Sequence, residues 1–389
     1  MTTFVNRLES KPINNQPVEI VERKGFAHPD TICDTIANQM SVDYCRYTLF
    51  YLDAIPHHNF DKSLLSAGET RIEWGGGDVV KPMKFYYGDR AINQVGKHKI
   101  PVEKICNNAA RSVMKDLMNG YYDFDPISAV ACGSSALTGI FKSKDDIMPS
   151  NDTSATVGYA PLSKVENLLL SLEKHLDNLN LPFLGRDLKF MAQRIGDKLD
   201  LTMAGALIAT EIYDPETYHD SRLRLEETVY DYLTRNWGDN YVFHFNNLDN
   251  KNPESPDEVY LTLSGTSAEC GDSGQVGRGN NVAGVIPLCR PMSAEAASGK
   301  NPVSHIGRIY NHLAFKIADH IHEELSIPDV YVHMVNRIGD RIDEPSIVNV
   351  NYNEGTLIDI PDHNHIKDII TGELNGLGDY VEKLVQGIV

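Results

Sequence analysis

The chain has 389 residues, of which 41% are hydrophobic and 23% are charged, a composition typical of a globular protein with two to three domains. Its 54 acidic residues outnumber 36 basic ones, and the formal net charge of −18 argues against a surface that binds nucleic acid or an anionic membrane. No apolar run reaches the roughly 18 residues that span a bilayer. The six cysteines lie far apart and form no CxxC pair, which favours reduced thiols. We therefore expect a cytoplasmic protein.

The first elements predicted along the chain are a strand and a helix joined by a short turn. Residues 17–24 (PVEIVERK) alternate apolar and polar side chains, as a half-buried strand does. Pro29 suits the first position of a helix, and apolar residues then recur at helical spacing toward Leu52. His28 is therefore predicted to lie at a helix N-terminus, beside a turn.

The rest of the chain predicts a mixed α/β protein. Apolar residues at helical spacing predict helices at residues 101–119, 161–179, 215–236, 302–325 and 376–386. β-Branched and aromatic residues predict strands at 199–212, 241–246, 259–264, 329–336 and 346–351. Residues 133–150 and 247–258 are predicted to be loops, and the first of these is long enough to act as a lid.

Residues 265–310 form the segment with the clearest chemistry. They are poor in large apolar side chains, and their glycines allow backbone N–H groups to approach an oxyanion. The basic side chains of this segment are Arg278, Arg290, Lys300 and Arg308, and the acidic ones are Glu269, Asp272 and Glu295. Four bases against three acids leave a local excess of positive charge, which predicts a site for a polyanion.

Two polar motifs of the first 62 residues each allow two interpretations. His28-Pro29-Asp30 offers a neutral imidazole that can donate a hydrogen bond and a carboxylate that can bind Mg²⁺, but a helix cap also explains it. His58 and Asp61 belong to a polar cluster, HHNFDK, that a surface turn explains almost equally well.

Three later motifs also allow more than one interpretation. Asp152, in NDTS, can hold a ribose or an ammonium group, or can form an ordinary turn. Residues 194–198 (RIGDK) place two cations, among them Lys198, near a tight turn that solvent alone would explain. Residues 298–302 (SGKNP) resemble a phosphate loop but not a Walker A motif, because Ala294 and Asn301 replace the required glycine and hydroxyl residue.

These motifs together, in this order, resemble one family over nearly the whole chain. KGxxHPDTICD, HHNxDK, NDTSxxVGYAPLS, GTSAExGDxGxVGRGN and RPMSxEAASGKNPVxHxGxIYN are similar to methionine adenosyltransferase (S-adenosylmethionine synthase) of the archaeal type. The resemblance implies that the sulfur of L-methionine attacks C5′ of ATP and expels triphosphate, which is then hydrolysed to pyrophosphate and phosphate. It also implies Mg²⁺, with two ions per site, and K⁺.

The resemblance assigns roles to the residues that match the family's motifs. His28 is implied to contact the oxygen that leaves C5′. The residues implied to bind ATP and its triphosphate are His28, Asp152, Lys198, Gly274, Arg278, Ser298 and Lys300. Four of these are implied to be catalytic, namely His28, Lys198, Arg278 and Lys300.

The methionine and metal sites are implied in the same way. Asp152 and Asp272 are implied to bind methionine, with His58 as a further candidate and Asp61 beside it. Asp30 is implied to bind Mg²⁺. The second metal ligand stays open between Asn301 and His305, because Ile306 stands where the bacterial branch has an aspartate.

Two departures from the family pattern leave alternatives open. Ala27 replaces a glycine at a turn implied to abut the nucleotide, and Ser273 replaces an aspartate. A paralogue that keeps the ATP and triphosphate chemistry but uses another nucleophile is therefore one alternative. A non-catalytic regulatory subunit is another.

The resemblance also implies three similar α/β domains around a pseudo-threefold axis, with sheets packed at a homodimer interface and active sites between subunits. The domains are discontinuous. The implied segments are residues 1–26 with 163–266, residues 27–143 with 267–308, and residues 144–162 with 309–389.

Overall fold

The computed structural model describes residues 1–118, 124–133, 147–353 and 362–388. Most of the predicted lid at residues 133–150 lies outside these described residues. The helices are α1 (Pro29–Leu52), α2 (Val102–Leu117), α3 (Lys164–Leu179), α4 (Pro215–Asn236), α5 (Ile306–Leu325), α6 (His363–Asn375) and α7 (Leu377–Gln386).

The strands of the first half of the chain are β1 (Thr2–Arg7), β2 (Val18–Lys24), β3 (His58–Ser66), β4 (Glu69–Glu73), β5 (Gly76–Lys81), β6 (Met83–Ala91), β7 (Gln94–Val95), β8 (His98–Lys99), β9 (Phe124–Ala131) and β10 (Ser154–Ala160). Those of the second half are β11 (Leu184–Ile195), β12 (Lys198–Ile208), β13 (Tyr241–Phe245), β14 (Leu261–Thr262), β15 (Gly274–Gln275), β16 (Ile286–Pro287), β17 (Asp329–Asn336) and β18 (Ile347–Asn353). The mixed α/β prediction is therefore confirmed.

Three larger sheets each pack helices on one face. The first sheet has the strand order β13-β12-β11-β2-β16 and shares an apolar core with α3 and α4. The second sheet, β15-β3-β6-β9, packs on α1 and α2. The third sheet, β1-β18-β17-β10, packs on α5, α6 and α7. Each core buries its own set of apolar side chains, so the chain is built from three α/β units.

The units exchange short strands in a way that the sequence did not predict. β1 runs parallel to β18, with Thr2 opposite Ile347. Residues 2–7 therefore belong to the third sheet, and not to the unit of residues 1–26 and 163–266 in which we expected them. They cover the edge of β18, which would otherwise present unpaired backbone groups. Conversely, β16, from the segment 267–308, pairs with β2 of the first sheet.

Capping side chains explain why two predicted helices begin later than proline suggested. α3 begins at Lys164 because Ser163 and Glu166 form a reciprocal capping box with the backbone. α5 begins at Ile306 because the side chain of His305 accepts a hydrogen bond from the N–H of Gly307. Among the described residues, no helix is long and apolar enough to cross a membrane.

We predict that Gly158→Ala destabilises the protein by about 1–3 kcal/mol, because an added methyl group would collide with the backbone of α5 at Ala314 and Phe315. Gly372→Ala, inside α6, is the matched control: nothing lies within 4 Å of its added methyl group. This control should stabilise the protein by about 0.5–1 kcal/mol. Urea unfolding followed by circular dichroism measures both, and equal stability of Gly158→Ala and the wild type would contradict the close packing.

Candidate functional site

A cavity of about 540 Å³ lies where the end of β2, the first turns of α1 and two glycine- and alanine-rich segments meet. These segments are residues 277–282 and 292–298, which include Ser298. The cations Lys24 and Arg278 and the carboxylates Asp34 and Glu295 contribute to its wall. The cavity wall therefore combines two cations and two carboxylates with glycine- and alanine-rich segments, most of them from residues 265–310.

His28 lies beside this cavity as the N-cap of α1. Its Nδ1 accepts a hydrogen bond from the backbone N–H of Asp30 at 3.2 Å, so the ring is neutral and its proton is on Nε2. Burial lowers the pKa of His28 to about 4, although Asp30 opposes the shift. At neutral pH, His28 is thus a donor through Nε2 and not a cation.

Asp30 links the start of α1 to the glycine-rich segment. Its Oδ1 accepts from the backbone N–H of Gln275 at 2.9 Å, and its Oδ2 lies 2.9 Å from Nζ of Lys24. Gly274 makes this approach possible, because a side chain there would collide with the carbonyl of Pro29. Asp30 therefore positions both Lys24 and β15.

Asp34 lies one turn further along α1 and was not predicted as a site residue. Its Oδ1 accepts from the N–H of Gly277 at 2.9 Å, and burial raises the pKa of Asp34 to about 6. Asp30 and Asp34 thus present two carboxylates at one edge of the cavity, and carboxylate oxygens suit Mg²⁺. No group of three or more His, Cys, Asp or Glu side chains among the described residues could hold a metal ion. Bound Mg²⁺ would therefore need further oxygens from substrate or water.

Lys300 is held between two carboxylates. Only 3% of the residue is exposed, and its Nζ lies 2.8 Å from Oδ2 of Asp61 and 2.9 Å from Oε1 of Glu295. Burial opposes ionisation of Asp61, but the neighbouring ammonium outweighs it and lowers the pKa of Asp61. The carbonyl of Gly299 accepts from the N–H of Phe60 at 2.8 Å, which fixes the loop to β3.

His58 and Asn301 lie beneath this loop. Neither is exposed, and Nδ2 of Asn301 lies 3.3 Å from Nδ1 of His58. Nε2 of His58 lies 2.8 Å from Oγ of Ser41. In this structure both side chains are enclosed by protein, so neither faces the cavity.

His305 connects Lys300 to Asp152. Nδ1 of His305 accepts from the N–H of Gly307 at 3.1 Å, and Nε2 lies 3.5 Å from Oδ2 of the half-exposed Asp152. Burial, followed by the charge of Lys300, lowers the pKa of His305 to about 3. The imidazole of His305 is therefore neutral, and its Nε2 faces the carboxylate of Asp152. The assignment of Asn301 or His305 as a second metal ligand stays a prediction.

Asp272 lies close enough to His28 for its charge to oppose the lowering of the pKa of that histidine. It is exposed, and its Oδ2 lies 3.3 Å from Oγ of Ser267, which also donates to Oδ2 of Asp187 at 2.7 Å. Burial raises the pKa of Asp187 to about 6, and Asp272 adds to the shift. Asp187 was missed because it lies in β11, a strand that the sequence analysis did not predict.

The structure does not bring Lys198 to this site. Lys198 is exposed at the start of β12, opposite Ile195, which pairs with Val18 at the far end of β2. Six positions of β2 separate that end from Lys24, a distance of roughly 20 Å. The lysine that lies near His28 in place of Lys198 is Lys189. It pairs with Lys24 in the strand register and contributes to the lowered pKa of His28.

Neither departure from the family pattern alters the cavity wall. Ala27 is fully buried in the core of the second unit, its N–H donates to the carbonyl of Arg186 at 3.0 Å, and its carbonyl accepts from Oγ1 of Thr266 at 2.7 Å. Ser273 turns toward the β3–β4 connection, where its Oγ accepts from the N–H of Ala67 at 3.1 Å.

This geometry defines an α/β protein in which a neutral histidine, lysines, an arginine and several carboxylates lie around a glycine-rich cavity. The sequence model of the S-adenosylmethionine synthetase (AdoMet synthetase) family matches residues 2–388. The chain belongs to this family, whose enzymes are methionine adenosyltransferases.

Individual relatives agree with this assignment. A probable S-adenosylmethionine synthase of Aquifex aeolicus is 39% identical, with 89% of this chain and 88% of that protein covered. The S-adenosylmethionine synthase of Methanococcus aeolicus is 37% identical, with 98% of each chain covered. A solved structure of an unusual S-adenosylmethionine synthetase from Campylobacter jejuni has a TM-score of 0.62 at 15% identity and covers 96% of this chain and 95% of its own, which supports the fold alone.

We predict that the ring of His28 titrates near pH 4, well below the ordinary 6.5. Because the folded-state pKa is lowered, the neutral form persists on acidification and is lost only as the pH falls through about 4. Nitrogen NMR of protein labelled in histidine measures this midpoint and the protonated ring nitrogen, and His28→Gln identifies the signal. A midpoint at or above 6.5, or a proton on Nδ1, would contradict the assignment.

The two lysines can be compared directly. Lys189→Ala should weaken the binding of tripolyphosphate by at least about tenfold, because it removes a cation beside His28, whereas Lys198→Ala should change binding by less than about twofold. Isothermal titration calorimetry measures both. A larger loss of tripolyphosphate affinity in Lys198→Ala than in Lys189→Ala would indicate that Lys198, and not Lys189, lies at the site.

Proposed function

We propose that the chain makes S-adenosylmethionine from ATP and L-methionine by attack of the methionine sulfur on C5′ of ATP, and that it hydrolyses the released triphosphate to pyrophosphate and phosphate. The observation that carries this proposal is the neutral His28, which caps α1 beside Lys24 at the edge of a cavity whose wall also includes Arg278. A neutral donor next to fixed cations suits a leaving oxygen that belongs to a polyphosphate.

The chemistry of this reaction explains why the site has cations rather than a base. A thioether sulfur carries no proton to remove, so the barrier lies in placing the sulfur in line and in stabilising the departing triphosphate. In this mechanism His28 donates from Nε2 to the leaving oxygen, and Lys24, Lys189 and Arg278 face the phosphates. At an effective dielectric constant of about 20, one cation about 4 Å from a phosphate charge contributes roughly 4 kcal/mol before desolvation.

Lys300 is the cation that must change partners. In the free chain it is neutralised by Asp61 and Glu295, so a phosphate group that approaches Ser298 and Lys300 competes with these carboxylates. We assign Mg²⁺ to Asp30 with Asp34 as a second candidate, and when bound it would neutralise phosphate charge. K⁺ and the number of metal ions remain part of the proposal.

Methionine is assigned to the region of Asp272, whose charge reaches His28. Asp272 is exposed there and can hold the methionine ammonium group, with Asp187 behind it through Ser267. Asp152 lies on the Lys300 side and can hold the adenosine. An in-line displacement requires the methionine sulfur on the face of C5′ opposite the leaving oxygen.

A homodimer is part of the proposal, and the outer faces of two sheets support it. The exposed apolar pairs that are direct cross-strand neighbours are Leu64 with Tyr86 and Val18 with Ile195. They lie on the faces that point away from the packed helices. Lys24 and Lys189 share their face with the second pair, so a partner chain on this face would border the site.

The alternative of another nucleophile rested on Ala27 and Ser273. Both point away from the cavity, which leaves that alternative without a structural basis. The alternative of a non-catalytic subunit would require the loss of site residues, whereas His28, Asp30, Lys189, Arg278 and Lys300 are all present.

Purified protein supplied with ATP, L-methionine, Mg²⁺ and K⁺ is expected to form S-adenosylmethionine and phosphate, which mass spectrometry and a phosphate assay measure. His28→Ala should lower kcat/KM by about 10² or more, because it removes the donor to the leaving oxygen. His219→Ala, an exposed histidine on α4, is the control and should have wild-type activity. A sulfonium product formed only from other thioethers would contradict the proposal, as would wild-type activity of His28→Ala.

A further inference from the structure

Arg308 is a buried cation without a carboxylate partner. It lies in the first turn of α5, and only 1% of it is exposed. Its Nη1 donates to the carbonyl of Lys300 at 2.9 Å and to Oγ of Ser41 at 3.2 Å, and its Nη2 donates to the carbonyl of Leu384 at 3.4 Å. Among the described residues, no carboxylate oxygen lies within 4.0 Å of its guanidinium group.

The other deeply buried arginines differ in this respect. Each of them forms an ion pair with a buried glutamate: Arg23 with Glu173, Arg194 with Glu19, and Arg290 with Glu166. A buried charge without a partner costs several kcal/mol. The fold therefore neutralises these three arginines and leaves Arg308 with neutral partners only.

The surroundings of Arg308 explain how its charge is tolerated. The carbonyl of Leu384 belongs to the last turn of α7, where the helix dipole is negative. The thiol of Cys45 lies close enough to interact with this charge, and burial raises the pKa of Cys45 to about 12, so this thiol is neutral. Burial lowers the pKa of Arg308 to about 10, and the guanidinium group stays charged at neutral pH.

The position of Arg308 relates this charge to the anion site. Its shortest hydrogen bond is to the carbonyl of Lys300, so the guanidinium group supports residues 298–301 from below. Ser41 donates to the same carbonyl at 3.3 Å. The backbone of Lys300 thus depends on two buried donors, one of them charged, while the side chain of Lys300 lies between Asp61 and Glu295.

We propose that Arg308 is a positioning residue of the triphosphate site, which holds the loop of Ser298 to Asn301 and supplies an unpaired positive charge that a bound polyphosphate compensates. This inference rests on the proposed function. Part of the cost of burying Arg308 in the free chain is then recovered when the polyphosphate binds, so the residue raises affinity for the anion without touching it.

The test compares tripolyphosphate binding in the presence of Mg²⁺, by isothermal titration calorimetry, for three variants and the wild type. Arg308→Met removes the charge and should weaken binding by at least about tenfold, whereas Arg308→Lys keeps it and should remain within about threefold of the wild type. Arg194→Met is the control for lost stability, because it leaves Glu19 unpaired on a part of the first sheet far from the loop. Its tripolyphosphate affinity should equal that of the wild type.

Three results would overturn the inference. The first is wild-type affinity in Arg308→Met, and the second is equal weakening in Arg308→Met and Arg308→Lys, which would make the shape of the side chain decisive and not its charge. The third is weakening in Arg194→Met. If Arg308→Met does not fold, the tripolyphosphate affinity of Arg308→Lys is compared with that of the wild type, and a change of more than about threefold contradicts the inference. A wild-type protein that does not bind tripolyphosphate would overturn both this inference and the proposed function, whereas the three results above concern Arg308 alone.

Discussion

Three of the cations at the proposed polyphosphate site are positioned by carboxylates from other elements of the fold. Lys24 pairs with Asp30, Lys189 with Glu22, and Lys300 with Asp61 and Glu295. In a protein with a net charge of −18, such pairing keeps like charges close together without mutual repulsion. It also means that a polyphosphate must compete with carboxylates that already pair with these cations. Preorganisation of this kind is what makes charge stabilisation effective in a transition state.

The two histidines at helix N-termini show how one motif serves two units differently. His28 and His305 each use Nδ1 to accept the backbone N–H two residues later, at the start of α1 and of α5. The residue that donates this N–H is Asp30 in one unit and Gly307 in the other. The second unit therefore adds a carboxylate at the N-terminus of α1. In the third unit, the space beside Gly307 is taken by the side chain of Glu295, which reaches Lys300.

The sequence predicted much of the fold and the site, but only where a signal was local. The predicted bounds of α1, α4 and β17 match the structure because proline, N-caps and β-branched residues mark them. β11 was not predicted, although Leu188, Phe190 and Ala192 alternate with polar residues as the buried side chains of a strand do. That omission hid Lys189 and directed attention to Lys198. The enclosure of His58 could not be predicted, since its partners come from segments far apart in the chain.

The contact between Arg308 and Leu384 has a consequence for the order in which the protein matures. Leu384 lies in α7, 76 residues after Arg308 in the chain. When α5 has just been synthesised, the carbonyl of Leu384, which accepts a hydrogen bond from Arg308, has not yet been made. Domains often fold during synthesis from the N-terminus onward, yet here the support beneath Lys300 is complete only after α7 has been made as well. A nascent chain that extends only to α5 therefore lacks one of the acceptors of Arg308.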